Sequence, residues 1–310
     1  MSERAALPGV GQRFAGSAPL VVAVLLLVDS LHYVFARILR NYLPPMTSAL
    51  FVLGVATVET AVFLGIRRQI RWAIFRQHAR FFLSVGLMVA LATALSYTSV
   101  KYVDPGTASL LGQTSTLFAL LFGLFWLHEN MSVGEWLGAG VTLLGAFIIG
   151  FQPGDYLRLG SLLVLGSAAI YALHAAVVKR FGGDIEFGNF FLFRIGSTTL
   201  FLLLLGAGGG ALIWPGRVAW PFLLLGGTVD VVISRVLYYV ALRRLRMSFH
   251  AILLTLSPVI TVLWSLALFG ERPSVQGLVG GTAVILGVII VTRSKQKARN
   301  RLEKRGKSGL

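Results

Sequence analysis

SYTSVKYVDPGTASLLGQTSTLFALLFGLFWLHENMSVGEWLGAGVTLLGAFII, residues 96–149, lies without a gap over YYVALRRLRMSFHAILLTLSPVITVLWSLALFGERPSVQGLVGGTAVILGVIIV, residues 238–291, at a constant offset of 142. The overlay sets Tyr97 on Tyr239, Leu111 on Leu253, Ser115 on Ser257, Leu124 on Leu266 and Ser132 on Ser274. It continues with Val133 on Val275, Gly138 on Gly280, Gly145 on Gly287 and Ile148 on Ile290. Carried upstream, the same offset sets Asp29 on Tyr171, His32 on His174 and Arg37 on Lys179. Single matches in apolar sequence carry little weight, but one register held through about five hydrophobic runs marks an internal duplication.

Composition sets the class of the duplicated unit. Of 310 residues, 56% are hydrophobic and 13% charged, against roughly 45–50% and 25% in soluble domains, and the mean hydropathy is +0.79. A spanning helix needs about 20 apolar residues. Ten such runs follow one another at 18–38, 45–66, 81–101, 105–127, 133–151, 160–180, 187–207, 218–242, 247–269 and 274–292. The fold expected is an all-α integral membrane protein whose ten transmembrane helices form two five-helix repeats, 18–151 and 160–292, between a cytoplasmic segment 1–17 and a basic cytoplasmic tail 293–310. With an odd number of spans per copy, the second copy enters the membrane from the opposite side. Repeats inverted in this way recur in transporters that work by alternating access. The first run follows two arginines, as a signal peptide does, but its length, its internal Asp29 and the nine runs behind it read as a retained helix.

The net charge of +16 would raise nucleic acid as a partner in a soluble protein. Here the bases are sorted by loop. With the N-terminus inside, the inner segments hold twenty Lys and Arg and the outer segments six, while Arg194 and Arg235 lie inside spans. That asymmetry places both termini in the cytoplasm and leaves nucleic acid without support. The tail RSKQKARNRLEKRGKSGL adds a site of attraction for anionic lipids. No cysteine is present, which excludes disulfides and thiolate metal sites. No Walker loop, HExxH, GxSxG or nucleotide fingerprint occurs in a plausible context, so an enzyme is not expected, nor any cofactor or metal. The 35 glycines suit closely packed membrane helices.

The motifs YTSVKYVDPGTASLL (97–111), Ser257-Pro258, the Gly-Glu-Arg-x-Ser turn at 270–274 and the Gly-rich runs at 133–150 and 275–291 resemble the two EamA domains of the drug/metabolite transporter superfamily over nearly the whole chain. The second copy matches better. The first has His-Glu-Asn-Met-Ser at 128–132, Thr116 in place of Pro258, and Val52 where the second copy has Arg194. The resemblance implies ten helices, cytoplasmic termini, a central cavity and transport of small metabolites or drugs, with a prokaryotic plasma membrane as the expected location. It implies no particular substrate. A lipid-linked or nucleotide-sugar carrier is the alternative within transport; an intramembrane enzyme or a membrane scaffold is the alternative outside it. Monomer and homodimer both remain open.

Charged groups inside spans are costly and therefore functional candidates. Asp29, His32 and Tyr33 are spaced to share one helical face, and Tyr171 and His174 occupy the matching positions of the second copy. Either histidine or Asp29 is a candidate proton carrier, against a purely structural hydrogen bond. Glu59 sits between Thr57 and Thr60, with pairing to Arg194 or Arg235 the favoured reading. Asp230 and Arg235 lie ~140° apart on an α-helix and each calls for a partner elsewhere. Arg235, with Tyr238 and Tyr239 one turn on, is the candidate anchor for an anionic or amphoteric substrate, or else a bridge to Asp230 or Glu59. Arg194 matches a family arginine and reads as an anchor of structure. The resemblance places Tyr97, Gln113, Thr255, Ser257 and Trp264 on cavity-lining spans. Glu129 and Glu271 fall in turns and read as architecture, Ser132 with Glu135 reads as a capping box, and Gly138/Gly145 with Gly280/Gly287 read as close helix packing.

Overall fold

The computed structural model describes residues 18–126, 131–152, 156–157, 159–183, 185–210, 212–238 and 256–308. In chain order the helices are α1 (Ala18–Asp29), α2 (His32–Leu39), α3 (Pro45–Ile66), α4 (Trp72–Gln77), α5 (Ala79–Ser99), α6 (Pro105–Gly112), α7 (Ser115–Phe125) and α8 (Val133–Gly150). They continue with α9 (Leu159–Phe181), α10 (Phe187–Gly208), α11 (Trp220–Leu225), a π-helical segment at Gly226–Ile233, α12 (Ser257–Phe269) and α13 (Val275–Ser308). One small ladder interrupts the helices. Strand β1 (Phe151–Gln152) pairs antiparallel with β2 (Tyr156–Leu157), Phe151 opposite Leu157, and links the two copies.

Seven helices among the described residues are long and apolar enough to cross a membrane: Pro45–Ile66, Ala79–Ser99, Pro105–Phe125, Leu159–Phe181, Phe187–Gly208, Trp220–Tyr238 and Val275–Ser294. Val133–Ile149 and Ser257–Phe269 are apolar but shorter. The chain is thus a multi-pass helical membrane protein, with seven such spans where the apolar runs predict ten. Three departures account for the difference. The first run is not one helix, because it breaks at Ser30–Leu31. The fifth keeps its expected bounds to within a residue, but its apolar stretch Val133–Ile149 falls just short of a full span. The ninth begins within 239–255, outside the described residues, where the expected end of the eighth also falls. Helix α13 runs unbroken to Ser308, through most of the expected basic tail.

Local chemistry explains the boundaries. Asp104 caps α6 by accepting the Thr107 amide at 2.8 Å, and Pro105 fills the first turn, where its missing N–H costs nothing. Pro258 likewise stands in the first turn of α12. Gly270 closes α12 with φ of 65°, a left-handed conformation that favours glycine. The expected capping box forms at α8: Glu135 accepts from the Ser132 amide at 2.8 Å and from its hydroxyl at 2.7 Å.

Glycines set the closest approach in the bundle. A Cβ on Gly138 would lie 2.7 Å from the Gly287 carbonyl oxygen, and one on Gly145 would lie 2.6 Å from that of Gly280. The reciprocal distances are 2.6 Å for Gly287 to Gly138 and 2.7 Å for Gly280 to Gly145. As numbers rise along α8 they fall along α13, so the two helices cross antiparallel. The expected packing role of these four glycines is therefore realised. Helices α3 and α10 repeat the pattern, Gly54 meeting Thr199 and Gly196 meeting Thr57. At their crossing Thr57 Oγ1 and Thr199 Oγ1 stand 2.9 Å apart, two residues separated by the repeat offset itself. Outward positions such as Leu143, Leu144, Phe147 and Val275 are exposed and apolar, the surface that lipid requires.

Candidate functional site

The break in the first span builds the site. Ser30 turns its hydroxyl back to the Leu27 carbonyl at 2.8 Å, while its own carbonyl, freed from the helix, accepts from Thr261 Oγ1 at 2.9 Å. Trp264 Nε1 donates to Ser30 Oγ at 3.1 Å. A predicted cavity-lining residue thereby serves to hold the break. Because the helix stops at Asp29 and restarts at His32, the expected single face of Asp29, His32 and Tyr33 does not form, and the three side chains go to different partners.

Asp29 ends α1 facing the second copy. Its Oδ2 accepts from Ser257 Oγ at 3.2 Å, its Oδ1 from Ser234 Oγ at 3.4 Å, and Arg235 Nη2 stands 4.0 Å from Oδ1. His32 begins α2 with Nδ1 3.3 Å from Asp230 Oδ2 and Nε2 3.2 Å from Ser96 Oγ. Tyr33 packs edge-on to His32 and directs its hydroxyl to Gly112, beside Gln113 at the α6–α7 break. Tyr97, a predicted binder, is 2% exposed and stacks its edge on His32, so it packs the core under the site. The side chains of His32, Arg235 and Asp29 keep 37%, 34% and 22% of their surface open, whereas Asp230 keeps 6%. Charges inside a span generally face the bundle interior and pair with one another rather than face lipid.

Asp230 and Arg235 do take separate partners, as their spacing requires, though not for the reason given by α-helical geometry. They lie in and just beyond Gly226–Ile233, where i→i+5 bonds widen the turn. Buried Gly227 pressing on Val55 of α3 marks the close approach beside this segment. Arg235 pairs with neither Asp230 nor Glu59 but with Asp29. Glu59 accepts a hydrogen bond from Thr228 at 2.6 Å, and no ion pair joins it to Arg194 or Arg235 among the described residues. Pairing is thus corrected at Glu59.

The second copy contributes Tyr171, His174 and Arg194. Tyr171 is 37% exposed on α9, with Arg194 and Arg235 within electrostatic reach of its hydroxyl. Its ring lies 5.2 Å from that of His174. Arg194 on α10 sits against Phe191 and Phe190 at 5.6 and 6.0 Å. Tyr239 and Thr255 fall outside the described residues, as does Glu129. Glu271 is architectural here: Arg37 donates to its Oε1 through Nε at 2.9 Å, tying α2 to the turn after α12.

Sequence reasoning missed the hydroxyl residues that organise these groups, namely Ser30, Ser96, Thr228, Ser234 and Thr261. Serine and threonine are common in spans; Ser30, Thr228 and Ser234 stand within two residues of Asp29, Asp230 and Arg235, whereas Ser96 and Thr261 carry no such mark. Among the described residues no group of three or more His, Asp or Glu converges as a metal site would require.

Residues 17–151 and 158–293 each match the EamA-like transporter family. A riboflavin transporter of Vibrio cholerae is 27% identical over 299 residues, 91% of this chain and 96% of its own. An uncharacterized transporter of Bacillus subtilis, YdfC, is 28% identical over 260 residues, 81% and 82% of the two chains. A pseudopaline exporter of Pseudomonas aeruginosa is 22% identical over 249 residues, 78% and 84%. One solved crystal structure superposes with a TM-score of 0.61 at 17% identity, covering 90% of this chain and 98% of its own, which bears on the fold alone. With the family matched twice across a duplicated, multi-pass helical chain, this protein belongs to the EamA-like transporter family.

Proposed function

We propose that this transporter moves a small organic solute outward across the plasma membrane by alternating access between two inverted repeats, driven by an ion gradient and not by nucleotide. The observation that carries this reading is the reciprocity of contacts at the 142-residue offset. When residue i of one copy meets residue j of the other, and their counterparts meet in turn, the two copies are related by a two-fold axis. Because α8 crosses α13 antiparallel, as α3 crosses α10, that axis lies across the helices and in the membrane plane. Exchanging the conformations of two such halves converts an inward-open form into an outward-open one. The loop charges orient both termini to the cytoplasm, and the basic end of α13 then rests against anionic lipid.

His32 and Asp230 are suited to carry the coupling proton. Ser96 Oγ can donate to the Thr93 carbonyl, 3.0 Å away, which leaves it to accept from His32 Nε2. Both imidazole nitrogens then donate, and the pair holds one extra proton. Rotating the hydroxyl toward Nε2 satisfies the neutral ring equally well. The pocket therefore takes up and releases a proton with no buried group left unpaired in either state. Since the pair joins the first copy to the second, its charge bears on how the halves meet.

The test is counterflow in liposomes containing the purified protein, with a panel of labelled metabolites. Exchange of at least one solute, without nucleotide, is expected. If no solute moves while a lipid is chemically altered, the protein is an intramembrane enzyme and the reading falls.

A further inference from the structure

Pairing off the charges inside the described spans leaves Arg194 and Glu59 without a charged partner, and of the two Glu59 has a hydrogen-bond donor on its carboxylate. Asp29 faces Arg235, Asp230 faces His32, and Glu59 is held by Thr228. Arg194 has no carboxylate within 4.0 Å among the described residues, and residues 239–255 contain no Asp or Glu. Its Nε is buried without a hydrogen-bond partner. Beside it, His174 is 5% exposed, and neither Nδ1 nor Nε2 has a partner. The first copy's histidine is matched by Asp230, but the position 142 residues before Asp230 is Met88, which supplies the second copy with no acid. Tyr171 is 37% exposed and within electrostatic reach of both Arg194 and Arg235.

An uncompensated guanidinium and a bare imidazole inside a membrane bundle are costly, and such groups persist where something binds them. The missing component has a definite chemistry. It must be anionic to balance Arg194, and it must offer two acceptor oxygens to suit the planar fork of a guanidinium. It must also accept a hydrogen bond from His174. A carboxylate meets all three conditions. Arg235, which sequence spacing marks as the anchor, is already balanced by Asp29, so the anchoring role passes to Arg194.

We infer that Tyr171, His174 and Arg194 form the site for the carboxylate of a small organic acid or zwitterion. This rests on the proposed transport function and names its substrate class. Arg194 supplies the charge, His174 a neutral donor, and Tyr171 an aromatic wall beside them. The rest of the solute extends along the exposed faces of Tyr171 and Arg235.

The test uses the full-length purified protein with three matched probes and their amides: benzoate and benzamide, nicotinate and nicotinamide, phenylalanine and phenylalaninamide. Thermal stabilisation in detergent reads binding, and uptake into liposomes reads transport. At least one acid is expected to bind more tightly than its amide, by roughly ten- to hundredfold, the range for a hydrogen-bonded ionic contact. Arg194→Gln should erase that preference, Arg194→Lys should keep part of it, and the double variant Asp29→Asn with Arg235→Gln should retain it. Size-exclusion profiles confirm that each variant is folded; if Arg194→Gln fails there, Arg194→Lys and His174→Ala decide the matter, each expected to weaken acid binding and not amide binding. Equal binding of acids and amides, binding of no acid, or an acid preference that survives these variants overturns the inference. If solutes without carboxylates move while acids neither bind nor move, transport stands and this site falls. If acids bind through Arg194 but nothing moves, the site stands and transport falls.

Discussion

Helix α3 starts at Pro45 and ends at Ile66, and α10 starts at Phe187 and ends at Gly208, each boundary displaced by 142 residues. The starts of α7 and α12, Ser115 and Ser257, and of α8 and α13, Val133 and Val275, keep the same displacement. Ser115 and Ser257 each open a helix, although Thr116 stands where the second copy has Pro258. The copies differ elsewhere. The first span breaks at Ser30–Leu31 while α9 runs on, and α5 is regular where its counterpart is π-helical around Asp230. Asp29 answers to Tyr171 and Asp230 to Met88, so the acids of the site belong to one set of positions and not to their mates. The duplicated frame comes from glycines and small residues packing backbone against backbone, which needs only shape. The charged groups are asymmetric, since a second copy of either aspartate would add a further costly charge to the membrane.

The frame is the easiest part of that comparison to break. Gly145→Val puts a side chain 2.6 Å from the Gly280 carbonyl, whereas Gly140 has nothing within 4 Å. Gly145→Val and its mate Gly287→Val should each destabilise the protein by about 1–3 kcal/mol or more, while Gly140→Val stays near wild type. Unfolding in detergent measures all three, and unequal losses at Gly145 and Gly287 would count against a two-fold relation. The proton pair comes next. Asp230→Asn should reduce accumulation driven by a pH gradient to the level seen without one, while solute exchange at equal pH continues; gradient-driven uptake that persists in both this variant and His32→Ala removes the pair from coupling. Arg235→Gln, which leaves Asp29 unpaired, should lower transport roughly tenfold, and adding Asp29→Asn should recover part of it, as coupled charges do in a double-mutant cycle. The smallest effect is expected on the axis. Thr57 donates to the Leu53 carbonyl at 2.7 Å, so Thr199 donates to Thr57 across the 2.9 Å contact. Thr57→Val and Thr199→Val should each cost about 0.6 kcal/mol, near the average for such bonds in membranes.

Much of the frame was legible before any coordinates. The 142-residue offset, the capping box at Ser132 and Glu135, and the packing glycines follow from spacing and residue size alone. The single break at Ser30 was not legible, because an apolar run looks continuous whether or not a carbonyl inside it finds a threonine from another helix. The π-helical widening at Gly226–Ile233 was hidden for a similar reason: it lengthens a turn without changing the composition. At the site, the sequence singled out the charged residues but mispaired them. Glu59 was matched to an arginine and found a threonine, and Arg235 was matched to Asp230 or Glu59 and found Asp29. Glu59 and Thr228 stand 169 residues apart and Asp29 and Arg235 stand 206 apart, and no local spacing reports on either pair.

Hydropathy, the sorting of basic residues and the internal repeat settled by themselves that this is a duplicated helical membrane protein with its odd charges confined to a few spans, since each of those properties is local or statistical along the chain. Which charge answers which was decided only by the tertiary structure. Helix ends that break, widen or cross within a few ångströms determine whether an aspartate reaches an arginine or a serine, and so it is the packing that neutralises Arg235 and leaves Arg194 without an acid beside it.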